Sequence, residues 1–409
     1  MARRNRILML LENSPYRRDV RVRSEAESLT RAGYAVTVIC PAENRRFAHD
    51  DVGGVQVYAY PEPPGGPGKL GFILEYGYSV LMLFIMSLVV FVRRGFDVIH
   101  AHNPPDMLVI IGLYYKLFGK KYVFDHHDLS SELYRHAKFG TDTVDLFYRL
   151  LVFFEVQSCR FADRVIATNQ SYKRIQIARA HIAPEKIYVV RNGPRLTPLA
   201  PPMPDASTPD ASTPIVIGYL GIINPQDGVD QLILALHHLV HDQGRRDFRC
   251  ILAGSGDAIP AVQALSQQLS LDEFITFTGW VDYQQVPRYL QSFDICVAPE
   301  PSNPYADLST VIKIMEYMSF AKPIVSFDLP EHRYSAGDAA LYAPNNDPQE
   351  FARLIARLMD DPDLRRRMGQ IGYARIADEL GWEHQEKVLL DLYRGLLPAH
   401  SSAMDMSTS

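Results

Sequence analysis

The stretch DLSTVIKIMEYMSFAKPIV, residues 307–325, puts Lys313 and Glu316 on one face of a short helix, with Lys313 close to its N-terminus. A helix start carries partial positive charge and open backbone N–H groups, so a cation there is unfavourable unless an anion is bound. Ser309 and Thr310 stand where an N-cap is expected, which would aim the N–H groups near Thr310 and Val311 at that anion. Glu316, about two turns in, is a carboxylate suited to accepting hydrogen bonds from hydroxyl groups. The plain alternative for Lys313 is an i,i+3 pair with Glu316. Such a pair is worth only about 0.2–0.5 kcal/mol against a dipole cost of roughly 0.3–1 kcal/mol, so it does not account for the lysine by itself.

A second candidate is FDHHDLSSELY, in which His126, His127 and Asp128 follow an apolar run and so fall on a loop at a strand end. A histidine there can hydrogen-bond a ligand hydroxyl, whereas a lone histidine is more often a satisfied core residue. His100 and His102, in IHAHNP, read as support for another strand end. Arg17, Arg18, Arg21 and Arg23 could face an anionic partner or a membrane; the alternative is a solvated basic face balanced by Asp19 and Glu25. No Asp/His cluster has metal-ligand spacing and no DxD is present where a bound cation would be needed, so no metal is expected.

These residues need a scaffold. RILMLLE, AVTVICP, FDVIHAHNPPD, KKYVFDHHD, DRVIATN and KIYVVRNG read as strands with helix-length segments between several of them, which predicts a parallel sheet covered by helices. PPMPDASTPDASTP, with its tandem PDAST, cannot build a core and reads as an exposed linker. Alternation then restarts with PIVIGYLG, FRCILAGSG, FITFTGW, DICVAPE, KPIVSFD and AALYAP. Two α/β halves about one hinge predict a ligand site between them, at the carboxyl ends of the strands.

With 409 residues, 47% hydrophobic and 22% charged, the chain is long enough for two domains with a sizeable core. A formal charge of −5 argues against a general nucleic-acid binder. Cys40, Cys159, Cys250 and Cys296 form no CxxC pair and fit reduced, buried thiols of a cytoplasmic protein. The apolar run Ile7–Leu11 after the basic start is too short for a secretory signal and reads as the first strand. YSVLMLFIMSLVVFVRRG carries no charge from Tyr78 to Val92, about 22 Å of helix against a bilayer core of roughly 30 Å. It reads as a buried helix or as one immersed in a membrane surface with Arg93 and Arg94 at lipid phosphates.

Taken in order, RDVRVRSEAESLTRAGYAVTVICP, FDVIHAHNPPD, FDHHDLSSELY, DRVIATNQSY, KIYVVRNGP, YLGIINPQDGVDQLILAL, LAGSGD, FTGWVD and VIKIMEYMSFAKPIV resemble the retaining glycosyltransferases of family 4, over nearly the whole chain. The resemblance implies an α/β GT-B fold of two Rossmann-like domains facing a central cleft. The N-terminal, acceptor-side domain would be 1–198, the linker 199–214 and the nucleotide-sugar domain 215–380. A helix at 381–398 would cross back to the first domain, followed by a disordered tail at 399–409. Similar enzymes move a sugar from a nucleoside diphosphate to a growing, often lipid-linked, acceptor in bacterial surface polysaccharide synthesis.

Residue by residue, Glu316 matches the second glutamate of the family's E-x7-E motif, which implies a contact to the ribose. Leu308 occupies the first glutamate's place, so Asp307 is expected to stand in as the sugar contact, with Glu300 as the strand-end alternative. The pattern D-x-H-D falls on Asp125, His127 and Asp128, placing His127 and Asp128 near the donor sugar. Where relatives carry an arginine and a lysine after Gly221, this chain has Ile222 and Asp227, so Lys313, helped by Arg191, is expected to neutralise the diphosphate. Arg17, Arg18, Arg21, Arg93 and Arg94 are the candidate acceptor or membrane contacts. The expected partners are a nucleotide-sugar donor, a lipid-linked saccharide and the inner face of the cytoplasmic membrane, with no cofactor or metal. A GT-B nucleotide-sugar epimerase and a catalytically inactive partner in a polysaccharide complex remain the competing expectations.

Overall fold

RILML pairs on both edges at once: Leu8 lies opposite Thr37 on one neighbour and Ile99 on the other, both parallel. Such doubly flanked strands are buried on both faces, which is why they read as continuous apolar runs. The computed structural model describes residues 5–44, 46–63, 68–138, 144–196, 214–282 and 284–397. The expected linker, but for residue 214, and the expected tail lie outside the described residues. Two compact units are formed, one from 1–135, 141–192 and 383–409, the other from 136–140 and 193–382.

In the first unit the strands are β1 (Arg6–Leu10), β2 (Ala35–Pro41), β3 (Ala48–Val52), β4 (Val55–Tyr60), β5 (Val98–His102), β6 (Lys121–His126), β7 (Arg164–Ala167) and β8 (Ile187–Val189). They form one eight-stranded sheet in the order β3-β4-β2-β1-β5-β6-β7-β8. All neighbours are parallel except β3 and β4, so the sheet is mixed rather than purely parallel. The hairpin was legible in DDVGGVQVYAY: Gly53 and Gly54 both take positive φ, +61° and +88°, as a two-residue turn between paired strands demands.

Helix α1 (Val20–Arg31) begins where Asp19 accepts a hydrogen bond from the Val22 N–H. Helix α2 (Gly68–Arg93) is longer than the uncharged stretch alone suggests. One face is fixed to the unit: Ser79 Oγ donates to Glu12 Oε1 at 2.9 Å, and Ser87 Oγ meets the Tyr115 hydroxyl at 3.0 Å. Tyr115 belongs to α3 (Val109–Lys116), whose Tyr114 ring also meets Phe84 of α2 edge-on. The opposite face exposes Leu81, Ile85, Val89 and Val92, one helical row. From Ile73 to Arg93 the helix is long and apolar enough to cross a membrane by length and composition, with 28% of its most apolar window buried. Helix α4 (Leu146–Phe161), capped by Asp145 accepting from Tyr148 N, completes this flank.

The second unit is a six-stranded parallel sheet in the order β11-β10-β9-β12-β13-β14, built from β9 (Ile215–Leu220), β10 (Phe248–Ala253), β11 (Ile275–Gly279), β12 (Ile295–Ala298), β13 (Ile324–Phe327) and β14 (Ala340–Ala343). Ile217, Val297, Val325 and Phe327 of its strands pack with Leu232 and Leu236 of α5 (Val229–His237) and with Phe351 and Ile355. Gly218 is required inside β9, because a Cβ there would lie 2.1 Å from the Phe293 ring. Helix α6 (Ile312–Ser319) leads into β13. Helix α7 (Trp382–Leu396) clusters, from Glu383 onward, with the first unit. There Tyr393 Oη meets His100 Nδ1 at 2.9 Å and Gln385 Oε1 accepts from Arg191 N at 3.0 Å. All four cysteines are buried and free.

Candidate active site

In the first unit the candidate groups collect at the carboxyl ends of β5 and β6 around Asp125. Arg21 grips this carboxylate in a fork, Nε to Oδ2 and Nη2 to Oδ1, both 2.8 Å. The same guanidinium donates through Nη1 to Val190 O at 3.0 Å and Asn192 Oδ1 at 2.5 Å, and lies 3.2 Å from Glu25 Oε1. Arg21 is therefore a buried structural cation and not part of an exposed basic surface. It sits one turn from Glu25 on the inward face of α1, where the fork to Asp125 offsets the cost of burial. Arg17 and Arg18 are exposed, 3.9 Å from Asp50 and 3.6 Å from Glu43.

Burial opposes ionisation of Asp125, but Arg21 and the neighbouring histidines outweigh it and hold the carboxyl well below its ordinary range. Glu25 moves the other way: burial and the adjacent Asp125 charge push it well up. His100 and His102, ring centroids 4.2 Å apart, are lowered by burial, His100 also by its histidine neighbour. For His127 burial again opposes the charge, but Asp125, with Nδ1 3.7 Å from Oδ2, and then Asp128 raise the imidazole. Asp128 is raised by burial against the pull of His127.

The loop carrying His127 is held by Asn103, a residue the motifs did not single out. Its Oδ1 accepts from His127 N at 2.8 Å and Asp128 N at 3.1 Å. Its Nδ2 donates to Asp128 O at 2.6 Å and to Asp106 Oδ1 at 3.0 Å. One carboxamide thus fixes the loop on both sides.

Although no metal spacing exists in the sequence, folding gathers Glu25, His100, His102 and Asp125, with ligand atoms within 4.8 Å of one another. The donor set does not fit a cation well. Arg21 already occupies both oxygens of Asp125, and a metal would have to displace a bidentate guanidinium.

In the second unit the site is built around Lys313, 8% exposed in the first turn of α6. Its ammonium is bonded to the Glu300 carboxylate and donates to Tyr219 Oη at 2.9 Å, lying 4.4 Å from the centroid of that ring. The anion that balances the helix-start lysine is therefore, in the first place, supplied by this chain. Gly221 follows β9 with φ +149°, and a Cβ on it would meet Lys313 Cε at 3.1 Å, so the glycine backbone lies against the lysine. Asp227, raised by burial and lowered by Lys313, is part of the same electrostatic neighbourhood.

Ser309 and Thr310 are not the cap of α6, a correction to the expectation. A 3-10 turn at Ala306–Leu308 precedes them; Ser309 Oγ donates to Tyr305 O at 3.0 Å and Thr310 Oγ1 to Glu331 Oε2 at 3.2 Å. The chain stays extended through Val311, which is the N-cap and offers no side-chain hydrogen bond. Among the described residues no group bonds the Glu316 carboxyl, and burial pushes it up to about 7 against the pull of Lys313. Asp307 N–H donates to Asn303 O at 3.0 Å, and its side-chain Oδ1 is buried without a bond. Glu300 Oε2 is likewise buried and unbonded. Arg191, 4% exposed, belongs to the first unit, where its N–H donates to Gln385 Oε1. Arg93 is exposed, and Arg94 donates to Tyr58 Oη and Gln56 Oε1.

With this geometry in view, the similarities are consistent. Residues 19–196 match the model described as Glycosyltransferase Family 4, and residues 214–361 the model described as Glycosyl transferases group 1. Alpha-D-kanosaminyltransferase of Streptomyces kanamyceticus is 30% identical over 159 residues, 38% of this chain and 39% of that enzyme. The chain spans about half the length of the curated relatives it matches. Sucrose-phosphate synthase from Thermosynechococcus elongatus superposes with a TM-score of 0.76 at 18% identity, covering 96% of this chain and 99% of that one. HepE from Anabaena, solved in complex with UDP-glucose, gives 0.66 at 17% identity, covering 95% and 99%.

Proposed function

Since the chain belongs to glycosyltransferase family 4 and has the GT-B fold, we propose that it transfers a sugar, with retention of configuration, from a nucleoside-diphosphate sugar to a lipid-linked saccharide during polysaccharide assembly at the inner face of the cytoplasmic membrane. The observation that carries this reading is the α6 site, where an unbonded Glu316 carboxyl lies behind a helix start with no side-chain cap. The open N–H groups and Lys313 take the diphosphate, and Glu316 takes the ribose hydroxyls. UDP-glucose and UDP, both bound by HepE, are the first donor and the first nucleoside diphosphate to try.

In this mechanism the bond from the anomeric carbon to the diphosphate oxygen breaks as the acceptor oxygen bonds to the same face. The acceptor proton passes to the departing phosphate oxygen. His127, raised toward protonation by Asp125, hydrogen-bonds the donor sugar, and the free oxygens of Glu300 or Asp307 accept from its hydroxyls. No step calls for a metal.

A thermal-shift series with nucleosides, nucleoside diphosphates and their sugars tests the donor, because a ligand bound only by the native state raises apparent stability. The reading predicts a shift with UDP or another nucleoside diphosphate and slow hydrolysis of its sugar. No shift with any of them would overturn it. An epimerase would instead interconvert the free donor sugar without an acceptor.

A further inference from the structure

Between α2 and α4 lies an apolar pocket of about 210 Å³, lined by Ile73, Gly77, Met107, Phe147, Leu150 and Phe154. An apolar cavity of roughly 150 Å³ already takes up benzene, so this one accommodates a run of methylenes. Ile73 and Leu150 line it and are also 50% and 45% exposed, so the pocket reaches the surface; Leu74, Leu146 and Phe153 on the same two helices are exposed as well. Asp106, Ser130 and Tyr76 also stand around it. Asp106 is bonded to Asn103, the side chain that holds His127 and Asp128. At the far end of α2 the exposed Arg93 offers a positive charge to anionic headgroups.

We propose that this pocket receives the hydrocarbon chain of a membrane lipid, the lipid that carries the acceptor. The occupant is a flexible apolar chain because only apolar atoms face the cavity, although Tyr76, Asp106 and Ser130 are among the residues around it, and because the pocket opens on a face that an anionic bilayer would cover. This placement puts the reacting end of the lipid on the side of the unit where Asn103 fixes the His127 loop. It rests on the lipid-linked acceptor proposed above and adds where the chain is held.

The probe is a phosphatidylglycerol carrying a diazirine at the end of its palmitoyl chain, in vesicles of equal parts phosphatidylglycerol and phosphatidylcholine. After irradiation, cross-linked peptides are mapped by mass spectrometry. Labels are expected on Met107, Leu151 and Phe154. Gly77→Leu is the paired variant: Gly77 lines the pocket and a Cβ there meets no atom within 4 Å, so a leucine has room at the pocket wall and is chosen to narrow it. It should cut those labels about tenfold, the effect of displacing roughly two methylenes, while circular dichroism and the unfolding midpoint report an intact fold. Labels confined to Leu81, Ile85 and Val89, equal in both proteins, would mean bilayer contact alone and overturn the pocket. Absent labels with a dimer by sedimentation would make the face a contact between copies, which also overturns it. UDP calorimetry on the same samples separates the two readings: intact UDP binding without pocket labels defeats only the lipid pocket.

Discussion

Lys313 and Glu300 hold each other at the start of α6, buried beneath Gly221 and against the face of Tyr219. A donor diphosphate must therefore share this lysine with an internal carboxylate rather than meet an idle cation.

The first prediction concerns that pair. Removing one partner of a buried ion pair typically costs about 3–5 kcal/mol, because the other charge is left uncompensated. Lys313→Met should lower unfolding stability by about that amount. Adding Glu300→Gln should restore most of it without restoring UDP affinity. Urea unfolding with calorimetry on the two variants checks both halves; recovery of affinity in the double variant would remove the diphosphate role of Lys313.

Glu316 predicts a pH dependence. Its carboxyl is raised from the ordinary 4.5 to about 7 by burial. A raised folded value contributes stability that is fully present below 4.5 and is lost as pH rises through about 7. Wild type should therefore lose stability relative to Glu316→Gln across that interval. Uridine affinity should rise over the same range, since the ionised carboxylate is the better acceptor. A flat uridine profile in wild type would separate Glu316 from the ribose.

His127→Ala should reduce kcat roughly 100-fold or more, with a smaller change in KM, if its ring donates to the sugar in the transition state. The imidazole is raised by Asp125 and Asp128 despite burial. Its stabilising contribution is thus complete below the ordinary value of about 6.5 and fades as pH climbs through the higher folded value. Subtracting the unfolding free energies of His127→Gln from wild type between acidic and alkaline buffers isolates it.

Exhaustive chelation should leave both turnover and the unfolding midpoint unchanged. Arg21 already forks both oxygens of Asp125 within the Glu25–His100–His102–Asp125 group, so a metal would have to displace it. Loss of activity with EDTA and rescue by magnesium or manganese would defeat this. Arg21→Met should instead destabilise the first unit by about 3–5 kcal/mol, with Asp125→Asn partly compensating.

Strand positions were legible because buried parallel strands write their environment into local apolar runs, as AVTVICP does over Ala35–Pro41. The Gly53–Gly54 hairpin carried an equally local signal, masked by the surrounding strand–helix rhythm. Arg21 was illegible as a buried residue because its partner Asp125 is 104 positions away, and only the fold brings them together. Ser309 and Thr310 had the composition of a cap, but a preceding 3-10 turn and the distant Glu331 decide where their hydroxyls go. Asp307 and Glu300 were the stand-in and the alternative for the motif glutamate missing at Leu308, yet that Lys313 would bind Glu300 depends on the turn between them.

Helix α7 leaves the second unit only to complete the first, supplying Tyr393 to His100, Gln385 to Arg191 and Glu386 to Arg31. During synthesis the first unit emerges early but waits for its final helix until all of the second has been translated. At roughly 5–20 residues per second that wait is on the order of tens of seconds. Throughout it, His100 lacks Tyr393 and Arg191 lacks Gln385, so the nascent first half is short of the contacts that its last helix supplies.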